Sequence, residues 1–387
     1  MLARCLPLPK VRRGLVPDLA IFVTAQYPPL PGLMPLAVVG RAGNPAGMTA
    51  RTAGSSQPAA RSAAPTREMV RRFVESAVAA PSMHNTQPWR FRYHEEDQTI
   101  GVYADPSRML RHADPEGRTV HIACGAALFN LRLAVAASAR EPIVRLLPRP
   151  HEPLLLATVR VAGRYRAREG EHELYTMIGK RHTNRYPFSD RQVPADILGE
   201  LAEAARVEGA TLHVLGAAAT QRVLELTAKA DLAQRRDPAY RSELAAWVGG
   251  QRDRDGIPDT ACGPRVADGS LPVRDFTLGR SPGLVRYARF EGSPQLTVLS
   301  TRFGDRADWL RAGQALQRVL LLATARGLAV GALTQALETA DAWLVRDPAS
   351  DIEHPQMVLR LGYSRAAQAS PRRPVSEVAP ELKADGA

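Results

Sequence analysis

The sequence predicts an α+β chain assembled from two similar halves, and three observations carry that reading. From Thr66 onward apolar residues recur at helical spacing (Met69, Val70, Phe73, Val74, Ala77, Val78) and then switch to strand-like alternation at Trp89, Phe91 and Tyr93. A second cycle of the same kind begins near Glu171. The helical stretch starting at Cys124 (CGAALFNLRLAVAASA) and the one starting at Ala312 (AGQALQRVLLLATARG) match in Gly125/Gly313, Ala127/Ala315, Leu128/Leu316 and Leu133/Leu321, all at one constant offset. Ala/Leu-rich helices also resemble one another by chance, so the match alone leaves an internal duplication open.

Composition bounds the answer. A chain of 387 residues with 45% hydrophobic and 23% charged residues can build a sizeable core without disulfides or a structural metal. Cys5, Cys124 and Cys262 are far apart and odd in number, which argues against a disulfide framework and against a cysteine metal site. No histidine pair has ligand spacing, so no metal is expected, and the expected home is a reducing cytoplasm. The best membrane candidate, Leu15 to Gly40, is broken by Asp18 and repeated prolines, so no membrane partner is expected. Half of the net charge of +12 sits in residues 1–65, which hold seven basic residues and one acid. The remainder shows no dense basic face interleaved with aromatics, so no nucleic-acid partner is expected.

Residues 1–65 are rich in Pro, Ala, Gly, Ser and Arg and are expected to be disordered, with Met48 a candidate true start. The helix from Thr66 stops at Pro81. A polar loop then leads to the strand at Trp89. Ile122 to Ala139 reads as a helix in which Gly125 and Ala126 permit close packing, and Leu154 to Val161 as a strand. In the second cycle Glu171 to Gly179 and Ile197 to Ala205 read as helices, Leu212 to Leu215 as a strand, Trp309 to Ala325 as a long helix and Met357 to Leu361 as a closing strand. The halves are placed at 66–165 and 166–387. Between Gly249 and Pro294 the chain is dense in Gly, Pro, Asp and Arg, with few apolar anchors, and is expected to be a lid.

Three segments carry chemistry. Pro81-Ser-Met-His-Asn-Thr-Gln-Pro-Trp89 offers backbone groups and the Ser82, Asn85 and Gln87 side chains as an edge for a flat heteroaromatic ring, although a capped turn is the plainer account. Arg181-His-Thr-Asn-Arg185 can clamp a phosphate with two guanidinium forks, a histidine and a hydroxyl, although a solvated helix end would look similar. Pro371-Arg-Arg-Pro374 could close such a clamp from the other side.

Taken together, these segments resemble the nitroreductase family, whose members grip the FMN ribityl phosphate with an Arg-His/Arg-Ser/Thr-x-Arg/Lys motif. The family borders the isoalloxazine with a Pro-Ser-x-x-Asn-x-Gln-Pro-Trp loop. CGAAL following DPEGR at 114–118, with TQALE at 334–338, is similar to the Acg-type branch of NAD(P)H nitroreductases. The resemblance covers roughly residues 66–380 and implies a nitroreductase-like fold, two fused pseudo-symmetric halves standing for the usual dimer. Here one chain carries the loop ahead of the clamp. The first half offers only Thr66-Arg-Glu-Met-Val-Arg-Arg-Phe73 where a second clamp would lie, and the second half only Ala205-Arg-Val-Glu-Gly-Ala-Thr211 in place of a second loop. One FMN per chain follows, in a monomer or a homodimer.

The resemblance implies cofactor contacts at Pro81, Ser82, Met83, Asn85, Gln87, Arg181, His182, Thr183, Arg185, Ala332, Leu333, Thr334, Arg372 and Arg373. An amide near Ala332, Leu333 and Thr334 is expected beside flavin N5. No side chain is assigned as catalytic, because the flavin carries the hydride from NAD(P)H to a small-molecule acceptor such as a nitroaromatic or a quinone. His84 stays unassigned, and Cys124 reads as a core residue. The competing expectation is a protein that sequesters FMN under the lid with little turnover.

Overall fold

A computed structural model describes residues 64–269, 271–276, 286–339, 342–345 and 353–383. The expectations for residues 1–63, including Met48, lie outside the described residues, as does part of the expected lid.

Helix α1 (Arg67–Val78) is capped by Thr66, whose hydroxyl accepts from the Met69 amide at 3.2 Å. It buries Val70, Phe73, Val74, Ala77 and Val78 along one stripe. β1 (Trp89–His94) buries Trp89 and Phe91 and exposes Arg90 and Arg92, the predicted alternation. It pairs with β2 (Thr99–Ala104). Helix α2 (Arg118–Ala137) follows, then β3 (Arg140–Leu146) and β4 (Leu155–Arg164). These strands form an antiparallel sheet in the order β1-β2-β4-β3. Asp114 starts α2 by accepting from the amides of Thr119 and Val120 and from the Thr119 hydroxyl, while Gly117 turns the chain at φ 73°. The DPEGR segment is thus a helix start.

After α3 (Glu171–Met177) and α4 (Ala195–Val207) the pattern repeats. β5 (Thr211–Val214) is followed by α5 (Ala217–Arg236), α6 (Pro238–Trp247) and the strands β6 (Arg265–Val266) and β7 (Tyr287–Ala288). Next come β8 (Gln295–Thr301), α7 (Arg306–Ala325), β9 (Ala329–Ala332) and β10 (His354–Gly362). The second sheet runs β5-β8-β10-β9 and is also antiparallel. Numbered within each half, both sheets have the order 1-2-4-3, each with a helix ahead of its first strand and another between its second and third. The halves differ in the connection between their first two strands. Strands β1 and β2 are joined by a tight turn, whereas α5, α6 and the segment 249–294 are inserted between β5 and β8.

α2 and α7 lie against each other at the centre. An added Cβ at Gly125 would fall 2.3 Å from the Leu310 carbonyl oxygen, and one at Gly313 would fall 2.1 Å from that of Ile122. The two approaches are reciprocal, as across a two-fold axis. Beside them Gln317 Nε2 donates to Asn130 Oδ1 at 2.8 Å, both residues being fully buried. α2 is long and apolar enough to cross a membrane by length and composition, but 89% of that window is buried in this fold. From the sequence this stretch was expected as a helix, and the membrane candidate considered was Leu15 to Gly40.

The second half has no counterpart of the 81–88 loop. α4 reaches β5 through Glu208, Gly209 and Ala210 alone, with Gly209 at φ 81°. The Glu208 carboxylate bonds Arg132 at 2.7 Å and Arg318 at 3.1 Å.

Candidate functional site

Pro81 ends α1 and the chain enters a turn at Met83–Asn85 that an L-residue rarely chooses. His84, Asn85 and Gln87 all have positive φ, at 51°, 57° and 51°. Such a conformation costs about 1–3 kcal/mol per residue and persists where surrounding bonds over-determine it. Asn85 Nδ2 donates to the carbonyls of Gly256 (2.8 Å) and Pro371 (3.0 Å), and its Oδ1 accepts from Arg372. Gln87 Nε2 donates to the Arg254 carbonyl at 2.8 Å, its Oε1 accepts from the Arg373 amide at 2.8 Å, and its own amide donates to Ser82 Oγ at 2.9 Å. The Asn85 and Gln87 side chains therefore tie the loop to two distant segments and do not line the cavity described below.

Behind the loop, Arg181 and Arg372 meet at the end of α1. Arg181 Nη2 and Arg372 Nη2 both donate to the Ala79 carbonyl, at 3.4 and 3.2 Å. Arg185 donates to the Ala261 carbonyl at 3.1 Å. None of the three has a carboxylate partner among the described residues. Burial, with Arg372 and Arg185 adding repulsion, lowers the Arg181 pKa to about 9. Burial, again with Arg185 nearby, lowers Arg372 to about 10, and burial lowers Arg185 to about 10. Arg181 Nε and Nη1 and Arg372 Nε are buried without an acceptor. A buried donor left unmade costs about 1–3 kcal/mol, so the cluster fits an oxyanion that accepts several such bonds at once. His182 borders it, its pKa lowered by burial and by Arg181 and Arg372. Arg373 is different. It pairs with Asp105 and Glu377 and donates to the Gln87 carbonyl, so it braces the loop.

A cavity of about 140 Å³ opens between the loop, α2, α7 and the end of β9. A cavity of similar size holds benzene, so there is room for an aromatic ring. Pro81, Ser82, Met83, Thr183, Arg185, Ala332, Leu333 and Thr334 line it, as do Ile122 and Leu316 from the two central helices. Thr183 is carried there by its bridge to Val330, beside the bond from the Asn184 amide to the Val330 carbonyl. The Leu333 amide donates to the Val358 carbonyl, so that group is committed to the sheet and is not the free donor expected beside a flavin.

The sequence profile of the nitroreductase family matches residues 178–363, which span the RHTNR segment and the second sheet. Over 343 residues the chain is 32% identical to "Putative NAD(P)H nitroreductase Rv3131" of Mycobacterium tuberculosis H37Rv, covering 86% of this chain and 96% of that protein. Over 330 residues it is 32% identical to "Putative NAD(P)H nitroreductase acg" of the same strain, covering 81% and 96%. The chain belongs to the nitroreductase family. Among solved structures, the FMN and NADPH-dependent nitroreductase NfnB from Sphigopyxis sp. strain HMH aligns with a TM-score of 0.34 at 17% identity, over 53% of this chain and 96% of that one.

The family profile starts beyond the 81–89 loop, and the groups that close the cavity opposite it come from a segment without a recognisable pattern. Residues 249–294 were expected to be a loosely anchored lid. The described residues 249–269 and 271–276 of that segment form a pinned strap, because Ile257, Ala261 and Leu271 are buried. Arg108 pairs with Asp255 at 2.9 Å, and the Gly256 amide donates to the Asn85 carbonyl. Deleting Arg252 to Arg274 would remove these anchors and is expected to destabilise the fold. Further along, Arg274 pairs with Glu338 at 2.6 Å, with side chains 8% and 1% exposed. Glu338 also accepts from Tyr240, Gln234 and Thr334. Replacing Glu338 by Ala leaves the Arg274 guanidinium buried without its counter-charge. A stability loss of about 3–5 kcal/mol is expected, to be read by urea denaturation.

Other cavity residues are His84, which the sequence reading left unassigned, and Arg274, Phe276 and Arg360, which it missed. Arg360 stacks on Phe188 at 3.8 Å and pairs with the buried Glu291 at 2.6 Å. Its charge is thus balanced inside the protein, unlike that of the Arg181 cluster.

Proposed function

We propose that this protein is an FMN-binding oxidoreductase that takes electrons from NAD(P)H and passes them to a small aromatic acceptor. The observation that carries the reading is the cluster of Arg181, Arg185 and Arg372, buried without a carboxylate partner beside a cavity with room for an aromatic ring. A phosphorylated flavin would answer both features, its phosphate at the cluster and one edge of its ring system in the cavity. Arg181, Arg372 and His182 would hold the phosphate, with Arg185 and Thr183 leading towards the ring. Pro81, Ser82, Met83, Ala332, Leu333 and Thr334 would bound the ring. Asn85, Gln87 and Arg373 act one step back by fixing the strained loop and aiming Arg372.

Bound there, FMN would supply transfer of a hydride between a nicotinamide and the acceptor. The protein's part is to position, to exclude water and to hold positive charge where negative charge develops. The apolar walls from α2 and α7 (Ile122, Ala123, Leu316, Leu320) keep the site dry. We read 66–165 and 166–387 as two nitroreductase-like copies in one chain. The short turn at Glu208 to Ala210 supports a single flavin site, since the counterpart of the 81–88 loop is missing. Protein purified with excess FMN and desalted is expected to be yellow and to release close to one FMN per chain on denaturation, as read by chromatography of the flavin. A stoichiometry near two, or FAD in its place, would sink the assignment.

The strap favours a second reading, in which FMN is stored and turnover is slow, because Ile257, Val273, Arg274 and Phe276 close over the cavity. Anaerobic mixing with NADH or NADPH decides between them: rapid bleaching of the flavin band supports the reductase, and a flavin that stays oxidised supports storage.

A further inference from the structure

Two residues of the cavity each keep one buried side-chain nitrogen without a hydrogen-bond partner among the described residues. His84 is 6% exposed and held at φ 51°, ψ 18°, and its Nε2 has no hydrogen-bond partner among the described residues. Arg274 enters from the strap, its Nη2 fixed by Glu338, while its Nη1 is buried and unpartnered. Both line the same cavity. Unsatisfied buried donors are rare, and strained non-glycine residues cluster where ligands bind. The pair sits beside a flat apolar wall. Phe276 meets the His84 ring edge to face at 6.2 Å, and the Arg185 guanidinium covers Phe276 at 5.4 Å.

The charges define what could enter. Burial, with Arg274 and Arg185 nearby, keeps the His84 pKa well below the usual histidine range, so its ring is neutral. Arg185 has no carboxylate partner among the described residues, and Arg274 has Glu338. The local field is positive, and the free groups include a guanidinium N–H. A cation would be repelled, and a wholly apolar ring would leave both nitrogens unsatisfied.

We propose that His84 and Arg274 form an acceptor subsite that selects a planar aromatic ligand carrying an anionic oxygen, such as a carboxylate. Arg274 donates from Nη1 to that oxygen group, and so does His84 from Nε2 in the neutral tautomer that carries its proton there, while Phe276 flanks the ring. The inference rests on reading the cavity as the flavin site, and it adds a preference of this chain's own residues among the acceptors.

Benzoate and benzamide are matched in shape and differ in charge, so they serve as probes, titrated by calorimetry against protein whose FMN content is measured on the same samples. Benzoate is expected to bind at least about tenfold tighter than benzamide, the worth of roughly one hydrogen bond to a charged group. In His84→Asn, which tolerates a left-handed backbone, and in Arg274→Lys, which keeps the charge facing Glu338 but loses the planar fork, that ratio is expected to fall towards one. Equal binding of the two probes, or a preference that survives both substitutions, would overturn the subsite. A benzoate preference in protein that retains no FMN would count against the flavin function alone, and bound FMN without a benzoate preference would count against the subsite alone.

Discussion

Replacing Arg181 by Met is expected to weaken FMN binding by about 1.5–3 kcal/mol, the range for a hydrogen bond to a charged group, or roughly ten- to a hundredfold. The same substitution is expected to leave the flavin-free protein as stable as the wild type or more so. The second half follows from the first. Without a ligand, Arg181 Nε and Nη1 have no acceptors, and Arg372 and Arg185 repel the charge strongly enough to help depress its pKa. Exchanging a buried, uncompensated cation for an apolar side chain of similar volume removes a cost and little else. Arg372→Met should lose FMN similarly but also lose stability, because Arg372 holds Asn85 and the carbonyls of Ser370 and Pro371. Arg72 is the control. It lies exposed on α1, paired with Glu68, and Arg72→Ala should change neither quantity. Flavin fluorescence titration and thermal melts of the flavin-free proteins give the two readouts. Retained FMN affinity in Arg181→Met, with a large fall in stability, would mean that the cluster is structural.

How much of this was legible in the sequence depended on whether a feature is local. Pro81 stops a helix wherever it stands, and the alternation from Trp89 to Tyr93 fixes which faces are buried, so the loop and its strand could be placed by number. The arginine cluster was legible as residue types in two short segments, since Arg181, Arg185 and Arg372 offer the same guanidinium donors in any fold that brings them together. The roles of Asn85 and Gln87 were not. Their partners Gly256, Arg254, Pro371 and Arg373 are far away along the chain, and a polar side chain in a loop looks alike whether it faces a ligand or its own backbone. The strap was misjudged for a related reason. Ile257, Ala261 and Leu271 are isolated apolar residues in a Gly/Pro-rich stretch, without helical or strand period, and only the fold shows that each has a socket. α5, α6 and β8 (Gln295–Thr301) were also passed over, the helices because their exposed faces carry few apolar residues, the strand because it is buried on both faces and does not alternate.

The central helix pair, an inconclusive sequence signal when taken alone, sets the second large expected loss in FMN binding and stability. Gly125 and Gly313 were singled out as matching positions in two Ala-rich helices, and in the structure they face each other across the α2–α7 contact. Replacing Gly313 by Ala has two opposed effects. Helix propensity favours Ala over Gly by about 1 kcal/mol. Against this, the new Cβ would lie 2.1 Å from the Ile122 carbonyl oxygen and 2.8 Å from the Gly125 Cα. These are backbone atoms within a helix, so no side chain can swing aside, and the whole helix must shift. Overpacking of a close-packed interior costs about 1–3 kcal/mol and more where the backbone must move; the expected net result is a loss of at least about 2 kcal/mol. Gly125→Ala should behave alike, its Cβ falling 2.3 Å from the Leu310 carbonyl oxygen. The double variant should lose less than the sum of the two, because helices already pushed apart by one methyl admit the second more easily. FMN retention should fall in parallel, since Ile122 and Ala123 on α2 and Leu316 and Leu320 on α7 wall the cavity and would separate with the helices. Urea denaturation of the two single variants and the double variant tests the whole scheme. Unchanged stability in Gly313→Ala, or strictly additive losses, would show that the two helices are not in the close contact from which the site is built.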